Sequence, residues 1–478
     1  MYKPALPLLS LSAALFLAGC AVGPDYVRPL LLMPSSWRQA APLDSEAVLP
    51  IDKAGERWWT LYADPVLDQL VEEALANNAD IQVAAARVLE ARAVAGTVDA
   101  DLYPALSAGY AANRSKSTLL GSMPQPADLP RIQNNYRATL DASYEIDLWG
   151  KLRRSSEAAR ADLFAASAAR DAVRLSLTAG VAQQYFALLA GDAQVRVAER
   201  TAMTRSETLK LFHQRLEAGV LSEFDLRRAE AEEAATRSQL AALLLERERA
   251  ETALTVLLGR SPGEVLEGSV IRGTPGALPP LTVPAGLPSE LLLRRPDLQE
   301  AEQKLIAANA RIGAARAQYF PSIGLTAFSG GESVAFSKLF TGPAGIFSFA
   351  VSLAQPIWNA GRIGFGVDAA EARRDQALAQ YKQTVANAFK DVRDALAAQT
   401  AVRAVLTAET TRALALEKAL QAAHRRFDAG IASRLDVLDV ERNLLVAELA
   451  RIEAERAQRA ALAGLFKALG GGWTSSPT

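Results

Sequence analysis

The segment Tyr136 to Leu148 alternates without a break. Tyr136, Ala138, Leu140, Ala142, Tyr144, Ile146 and Leu148 fall on one side, and Arg137, Thr139, Asp141, Ser143, Glu145 and Asp147 on the other. Period two over such a length predicts a strand with one apolar and one polar face. Phe347, Phe349, Val351 and Leu353, set against Ser348, Ala350, Ser352 and Ala354, repeat the pattern with smaller residues on the second side. Weaker partner strands are expected at about 104 to 113 and 321 to 330, with hairpin loops at roughly 115 to 134 and 333 to 344 that hold Gly, Pro and Ser.

Most of the remaining chain reads as helix. From Lys151 to about Glu217, and again from Arg362 to about Asp428, no proline interrupts runs rich in Ala, Gln, Glu, Arg and Leu. Each would extend ~100 Å at 1.5 Å per residue, far beyond an ordinary globular helix. Shorter helices are expected at about 79 to 102 and 222 to 258, and together they could stack end to end beside one long helix. Near the C-terminus Val437, Val440, Leu444 and Ala447 step by three and four, while Leu438, Leu445 and Ile452 step by seven, which is coiled-coil spacing. Helices are not expected through Ala21 to Leu61, about Ser261 to Leu287, or the tail after Gly470, all rich in Pro and Gly.

These elements occur twice. The run Asp80, Ile81, Gln82 through Gly96 to Tyr103 and Pro104 matches Asp297, Leu298, Gln299 through Gly313 to Phe320 and Pro321. Trp149, Gly150 and Lys151 then correspond to Trp358, Gly361 and Arg362. From there one offset holds over a long stretch: His213 with His424, Gly219 with Gly430, Ser222 with Ser433, Asp225 with Asp436, Glu230 with Glu441 and Gly259 with Gly470. The expected organisation is an export signal at 1–19, an N-terminal arm and equatorial segment at 20–65, a first repeat at 66–260 with its hairpin at about 104–148, an equatorial linker at 261–287, a second repeat at 288–469 with its hairpin at about 321–357, and a tail at 470–478.

The N-terminus changes where this architecture is placed. Lys3, an apolar stretch from Leu6 to Leu17, and Ala18, Gly19 and Cys20 form a short signal peptide, and no later segment offers ~20 uninterrupted apolar residues for a membrane helix. The residues LAGC resemble the lipobox of bacterial lipoproteins, which implies acylation of Cys20, the only cysteine. Several buried acyl chains anchor a protein stably where one does not. Ala21 stands where an aspartate usually marks inner-membrane retention, so the outer membrane is expected.

Composition removes whole classes of function. With 52 basic against 53 acidic residues and a net charge of −1, the chain lacks the cationic excess that nucleic-acid binding requires. No G-x-S-x-G, H-E-x-x-H, Walker loop or C-x-x-C is present, so no enzyme, cofactor or metal centre is expected. The two histidines, His213 and His424, are repeat equivalents and read as packing or polar capping residues, and the four methionines weigh against a conduit for soft metals.

Strands of this length, tilted ~40°, cover the ~25 Å apolar band of an outer-membrane barrel, while a soluble sandwich with its polar face outside is the other reading of the alternation. Four strands cannot close a barrel alone, and open edges are not tolerated in lipid, so closure needs further copies; three would supply twelve strands.

Cys20 with AVGPDYVRP at 21–29, the paired segments EAGVLSEFDLRRAE at 217–230 and DAGIASRLDVLDVE at 428–441, and the Trp-Gly strand exits together resemble the outer-membrane factor family, the TolC-like ducts of tripartite efflux pumps, in their lipidated NodT-type and OprM-like branch. The resemblance covers essentially the whole mature chain. It implies a mainly α protein with a membrane β-barrel portion: four strands per protomer and very long coiled-coil helices, assembled as a homotrimeric duct in the outer membrane that extends through the periplasm. It further implies no covalent chemistry, a periplasmic adaptor and an inner-membrane transporter of the resistance-nodulation-division type as partners, and export of drugs and other toxic small molecules.

On the same resemblance, Gly219, Val220, Ser222, Gly430, Ile431 and Ser433 match the adaptor-docking tips, and Leu435, Asp436, Asp439, Arg442 and Asp225 match the periplasmic gate. Around a threefold axis Asp436 and Asp439 would raise one another's pKa and attract cations. Arg228 replaces Asp439 in the first repeat, so the two repeats would contribute differently. The residues alone leave blander readings open: a helix stop at each glycine, and a solvated charged face near a helix start. An outer-membrane duct for type I protein secretion and a structural coiled-coil lipoprotein without a pore remain the competing functions.

Overall fold

The computed structural model describes residues 21–30, 49–50, 57–118, 120, 130–276, 278, 281–282 and 294–471. Cys20 and the expected export signal lie outside the described residues. In chain order the helices are α1 (Pro65–Asn77), α2 (Ala79–Ala100), α3 (Lys151–Glu217), α4 (Glu223–Leu257), α5 (Pro262–Glu267), α6 (Pro296–Ala317), α7 (Arg362–Asp428) and α8 (Arg434–Ala468), and the long strands are β1 (Ala105–Lys116), β2 (Ile132–Ile146), β3 (Ser322–Ser333) and β4 (Gly345–Ala354).

The duplication is carried into helix length residue for residue. α2 and α6 have 22 residues each, α3 and α7 have 67, and α4 and α8 have 35. The hairpins differ, with a second strand of 15 residues in one copy and 10 in the other. The expectation of no helix in 261 to 287 is corrected at one place: α5 forms because Ser261 and Glu264 make a capping box and Pro262 stands at its first turn.

The chain divides into two compact units. The first, with described residues 21–30, 87–118, 120, 130–167 and 300–382, holds the sheet, whose order is β1-β2-β3-β4, antiparallel throughout. Register places Leu140 opposite Ala108 and Ser329, and Phe349 opposite Ala327, so most large apolar residues of the four strands share one face, while Phe328 and Ile346 fall on the other. Where the strands leave for the helices, the Trp149 Nε1–H donates to the carbonyl of Pro321 at 2.8 Å and its ring stacks on Phe320, tying the two repeats together. Below the sheet α3 and α6 touch through Ala158, Ala161, Ala307 and Ala310, side chains small enough for close helix approach.

The arm at 21–30 is strapped along this unit. The Val22 N–H donates to the Trp149 carbonyl at 3.0 Å, Asn309 donates to the Pro24 carbonyl at 2.8 Å, Arg154 pairs with Asp25, and Tyr26 and Arg28 both donate to Glu302. Ala21 is thereby held beside the junction of β2 and α3, and the following arm residues are spent on α3 and α6.

The second unit, with described residues 57–86, 168–276, 278, 294–299 and 383–471 and the two-residue parallel pairing of 49–50 with 281–282, contains the main core. A short 3-10 turn at Trp58–Tyr62 inserts three aromatic rings among α1, α3, α4 and α8. Trp58 stacks on Phe466 with ring centroids 5.0 Å apart, and Tyr62 packs on Phe186 at 4.6 Å. The Tyr62 hydroxyl donates to the Arg459 carbonyl, and that of Tyr185 to Asp64, whose other oxygen caps α1. Burial thus leaves both tyrosine hydroxyls partnered.

Phe466 is fully buried. Phe466→Ala should remove the stacking partner of Trp58 and cost about 3–5 kcal/mol. A denaturant or thermal melt that reports the second unit, with tryptophan emission as the probe, should show the loss; an unchanged midpoint would remove this core from the account.

Candidate functional site

The structure holds a two-faced sheet and a pair of helix-hairpin tips. On the sheet, Leu106, Tyr110, Leu140, Phe347, Phe349, Val351 and Leu353 are large apolar side chains left exposed. The opposite face carries Arg137, Glu332, Asn135, Thr139 and Asp141, joined by an Arg137–Glu332 pair at 3.4 Å, an Asn135 donation to Glu332 at 2.9 Å and a Thr139 donation to Asp141 at 2.8 Å. Arg137 also lies over the ring of Phe328, 4.6 Å from its centroid. β1 and β4 each have a strand on one side only, so one edge of each presents backbone donors and acceptors with no neighbour in the sheet.

No described helix is long and apolar enough to cross a membrane. The exposed apolar face of the sheet has the alternation that a barrel wall requires.

The tips are built alike. α3 ends with the Val220 N–H donating to the Arg215 carbonyl and the Gly219 N–H to that of Leu216; α7 ends with Ile431 donating to Arg426 and Gly430 to Phe427. This closure needs a left-handed residue, and Gly219 and Gly430 have φ of 71° and 73°. Ser222 and Ser433 then cap α4 and α8 by accepting the N–H of Asp225 and Asp436. Val220 and Ile431 are exposed at the turns, as is Phe224, which the sequence reading did not single out.

Asp436 differs from the expectation of a free carboxylate in a ring. Its Oδ2 accepts both the backbone N–H of Ser433 at 2.8 Å and the Ser433 hydroxyl at 2.9 Å. Those bonds favour the charged form and hold the carboxyl below the usual carboxylate range, the backbone bond contributing most. Within one chain the shift is thus opposite to the mutual raising expected of the ring.

Of the other residues expected at a gate, Arg442 joins the two hairpins. Arg442 donates to Asp439 at 2.6 Å and reaches Glu232 on α4 at 3.4 Å; Glu232 in turn accepts from Arg205 on α3 at 2.9 Å. Arg434 donates to Thr208 at 3.1 Å, and Arg200 pairs with Glu448. Leu435 is half-buried beside the buried Val437 and Leu438, and Asp225 accepts the Ser222 hydroxyl at 2.7 Å. His213 and His424 each stand 3.9 Å from their repeat-equivalent glutamates, Glu230 and Glu441. Glu232, Arg205, Arg434 and Thr208 escaped the sequence reading because Arg205 meets Glu232 only across the folded first hairpin, and Arg434 meets Thr208 only when the two hairpins pack together. Among the described residues no group of three or more His, Cys, Asp or Glu is placed to hold a metal.

A repeated hairpin-and-long-helix unit with a two-faced, open-edged sheet defines an outer-membrane channel of the α/β-barrel duct class. Comparison with known proteins agrees. The family described as outer membrane efflux protein matches residues 70–260 and 287–471. The chain is 36% identical to the cation efflux system protein CusC of Escherichia coli O6:H1 over 466 residues, 98% of each chain. It is 36% identical to the toluene efflux pump outer membrane protein TtgC of Pseudomonas putida over 469 residues, 98% of this chain and 96% of that one. Its fold is that of the CmeC outer membrane channel of Campylobacter jejuni, with a TM-score of 0.87, 24% identity and coverage of 96% of each chain.

The chain belongs to the outer membrane efflux protein family. It is an outer-membrane channel subunit of the efflux class, and its family and relatives are channels.

The cap at Asp436 generates a pH prediction. Because the folded carboxyl is held below its ordinary value, the cap's stabilisation is present above the unfolded pKa of about 4 and is lost as pH falls through the lower folded value. Amide exchange at the second tip, corrected for intrinsic rates, should show protection falling only in that acid range. Asp436→Asn should abolish the titration; persistence of the same acid transition in that variant would assign it to another group.

Proposed function

We propose that three copies of the chain join their sheets edge to edge into one twelve-stranded barrel, and that their long helices continue this conduit into the periplasm as the outer-membrane part of a tripartite efflux pump. The observation that carries this reading is the sheet itself, with an apolar face, a polar face and two open edges. β1 and β4 run antiparallel to one another, so β4 of one copy placed beside β1 of the next continues the antiparallel order. The polar face then lines the lumen and no edge is left in lipid.

The conduit performs no covalent chemistry. Cys20 carries the acyl anchor, and the strapping of Val22 to the Trp149 carbonyl supports an anchor near the helical end of the barrel. The tips at Gly219, Val220, Ser222, Gly430, Ile431 and Ser433 receive a periplasmic adaptor, with exposed Val220, Phe224 and Ile431 supplying apolar contact at each turn. An inner-membrane transporter of the resistance-nodulation-division type supplies energy and selects the small molecule exported. Relatives of equal identity are named for cation and toluene efflux, which supports a duct indifferent to cargo.

Leu435, Asp436, Asp439, Arg442 and Asp225 lie at the gate, and the links from Arg442 to Glu232 and from Arg434 to Thr208 hold the two hairpins of one copy together. Half-exposed links of this kind contribute up to about 1 kcal/mol each, strong enough together to bias a closed state and weak enough for an adaptor to release.

Planar-bilayer recordings of the purified protein test the reading. The wild type should conduct poorly, and Arg442→Ala with Glu232→Ala should raise the conductance several-fold. Absence of conductance in both proteins would contradict the channel reading, and equal conductance would remove these residues from the gate.

A further inference from the structure

Charge appears on the apolar face of the sheet at one end only. Leading away from the helices, this face of β1 presents Leu106, Ala108, Tyr110 and Ala112, and then Arg114 and Lys116. Register sets Arg114 opposite Asn134 and Lys116 opposite Ile132, on the same side as Tyr136 and Leu140. The three carboxylates of the strands, Asp141, Glu145 and Glu332, all fall on the other face, opposite or beside Ser107, Gly324 and Arg137. Both cations are exposed, and neither makes an ion pair among the described residues.

The level of these cations relative to lipid follows from the aromatic rings beneath them. Tyr110 and Tyr136 meet Phe336 edge-on, at 6.4 and 5.8 Å between centroids, and Phe336 and Phe340 are exposed. Aromatic rings in membrane barrels gather where hydrocarbon gives way to headgroups. With a rise of ~3.3 Å per residue and a tilt of ~40°, Arg114 stands ~5 Å and Lys116 ~10 Å beyond the pair formed by Ala112 and Tyr136. That is headgroup depth. The helices leave from the other end of the sheet, so this end faces the outer leaflet.

We propose that Arg114 and Lys116 form a binding site for the phosphorylated headgroup of an outer-leaflet lipid. The guanidinium offers a planar fork matched to phosphate oxygens, and the ammonium adds a compact charge above it. A lipid rather than free phosphate is the occupant, because the strip directly below the cations is Tyr110, Ala108 and Leu106, against which the acyl chains of the same molecule can lie. The exclusion of carboxylates from this face leaves nothing on the strands to repel the anion. The inference rests on the proposed embedding of the sheet in the membrane.

The test uses the purified full-length protein in a neutral maltoside detergent. It is titrated with dye-labelled lipid A bearing both phosphates and with the same lipid after removal of its phosphates, with inorganic phosphate as a competitor. The phosphorylated lipid should bind and the phosphate-free lipid should bind at least tenfold more weakly. Arg114→Gln with Lys116→Gln should weaken binding on the order of twentyfold, from about fivefold per cation, and inorganic phosphate should not displace the lipid. Arg137→Gln, on the opposite face, should leave lipid binding unchanged. If the double variant does not assemble, Lys116→Gln alone should still show the fivefold loss.

Equal binding by variant and wild type, equal binding of both lipids, or displacement by inorganic phosphate would each overturn the site. Failure of the wild type to insert into phosphatidylcholine vesicles would instead count against membrane embedding, so the two failures are distinguishable.

Discussion

Inside a hydrocarbon layer no water replaces a missing hydrogen-bond partner, and the outer edges of β1 and β4 carry rows of backbone N–H and C=O groups with no neighbouring strand among the described residues. Each unsatisfied group would cost several kcal/mol there. The apolar face of the same sheet requires lipid, and the open edges forbid it unless another sheet closes them. Closure with further copies resolves the conflict, and much else in the chain follows from it. Strands must end together at Pro104, Leu148, Pro321 and Pro356, and helices must begin at common levels.

Duplication supplies the common levels. Helices of 22, 67 and 35 residues occur in the same order in both repeats, so two hairpins of equal reach stand side by side within one chain. Identity of length does not extend to chemistry. Trp149 is tied into the strand exit whereas its counterpart Trp358 is exposed, and Arg228 stands where the second repeat has Asp439. The long helices therefore occur twice in each copy, whereas the contacts joining Arg442 to Asp439 and Glu232 occur once.

Periodicity made the strands and long helices legible, because alternation and the absence of proline are local properties and the limiting glycines mark each end. The expected helix at 151 to 217 and its copy at 362 to 428 coincide with α3 and α7. Of the coiled-coil stripe, Val437, Leu438, Leu445, Ala447 and Ile452 are buried, while Val440 and Leu444 are half-buried. Less legible was the use of individual polar groups. Ser433 and Asp436 stand three apart before an apolar run, a capping signal readable from sequence, yet the carboxylate was assigned to a repulsive ring. Glu232, Arg205 and Thr208 carry no local signal, since their partners arise only from the packing of hairpins. The strapping of Arg28 and Tyr26 onto Glu302 joins residues more than 270 positions apart and is equally silent in the sequence.

The claim on which the account turns is that the sheet closes only with other copies of itself. The mass of the detergent-solubilised particle measures this directly, with native mass spectrometry resolving whole-number multiples of the 51.0 kDa chain after allowance for signal removal and acylation. A particle of three chains that persists on dilution is the predicted result. A stable, folded single chain in detergent, with its sheet edges open, would contradict it.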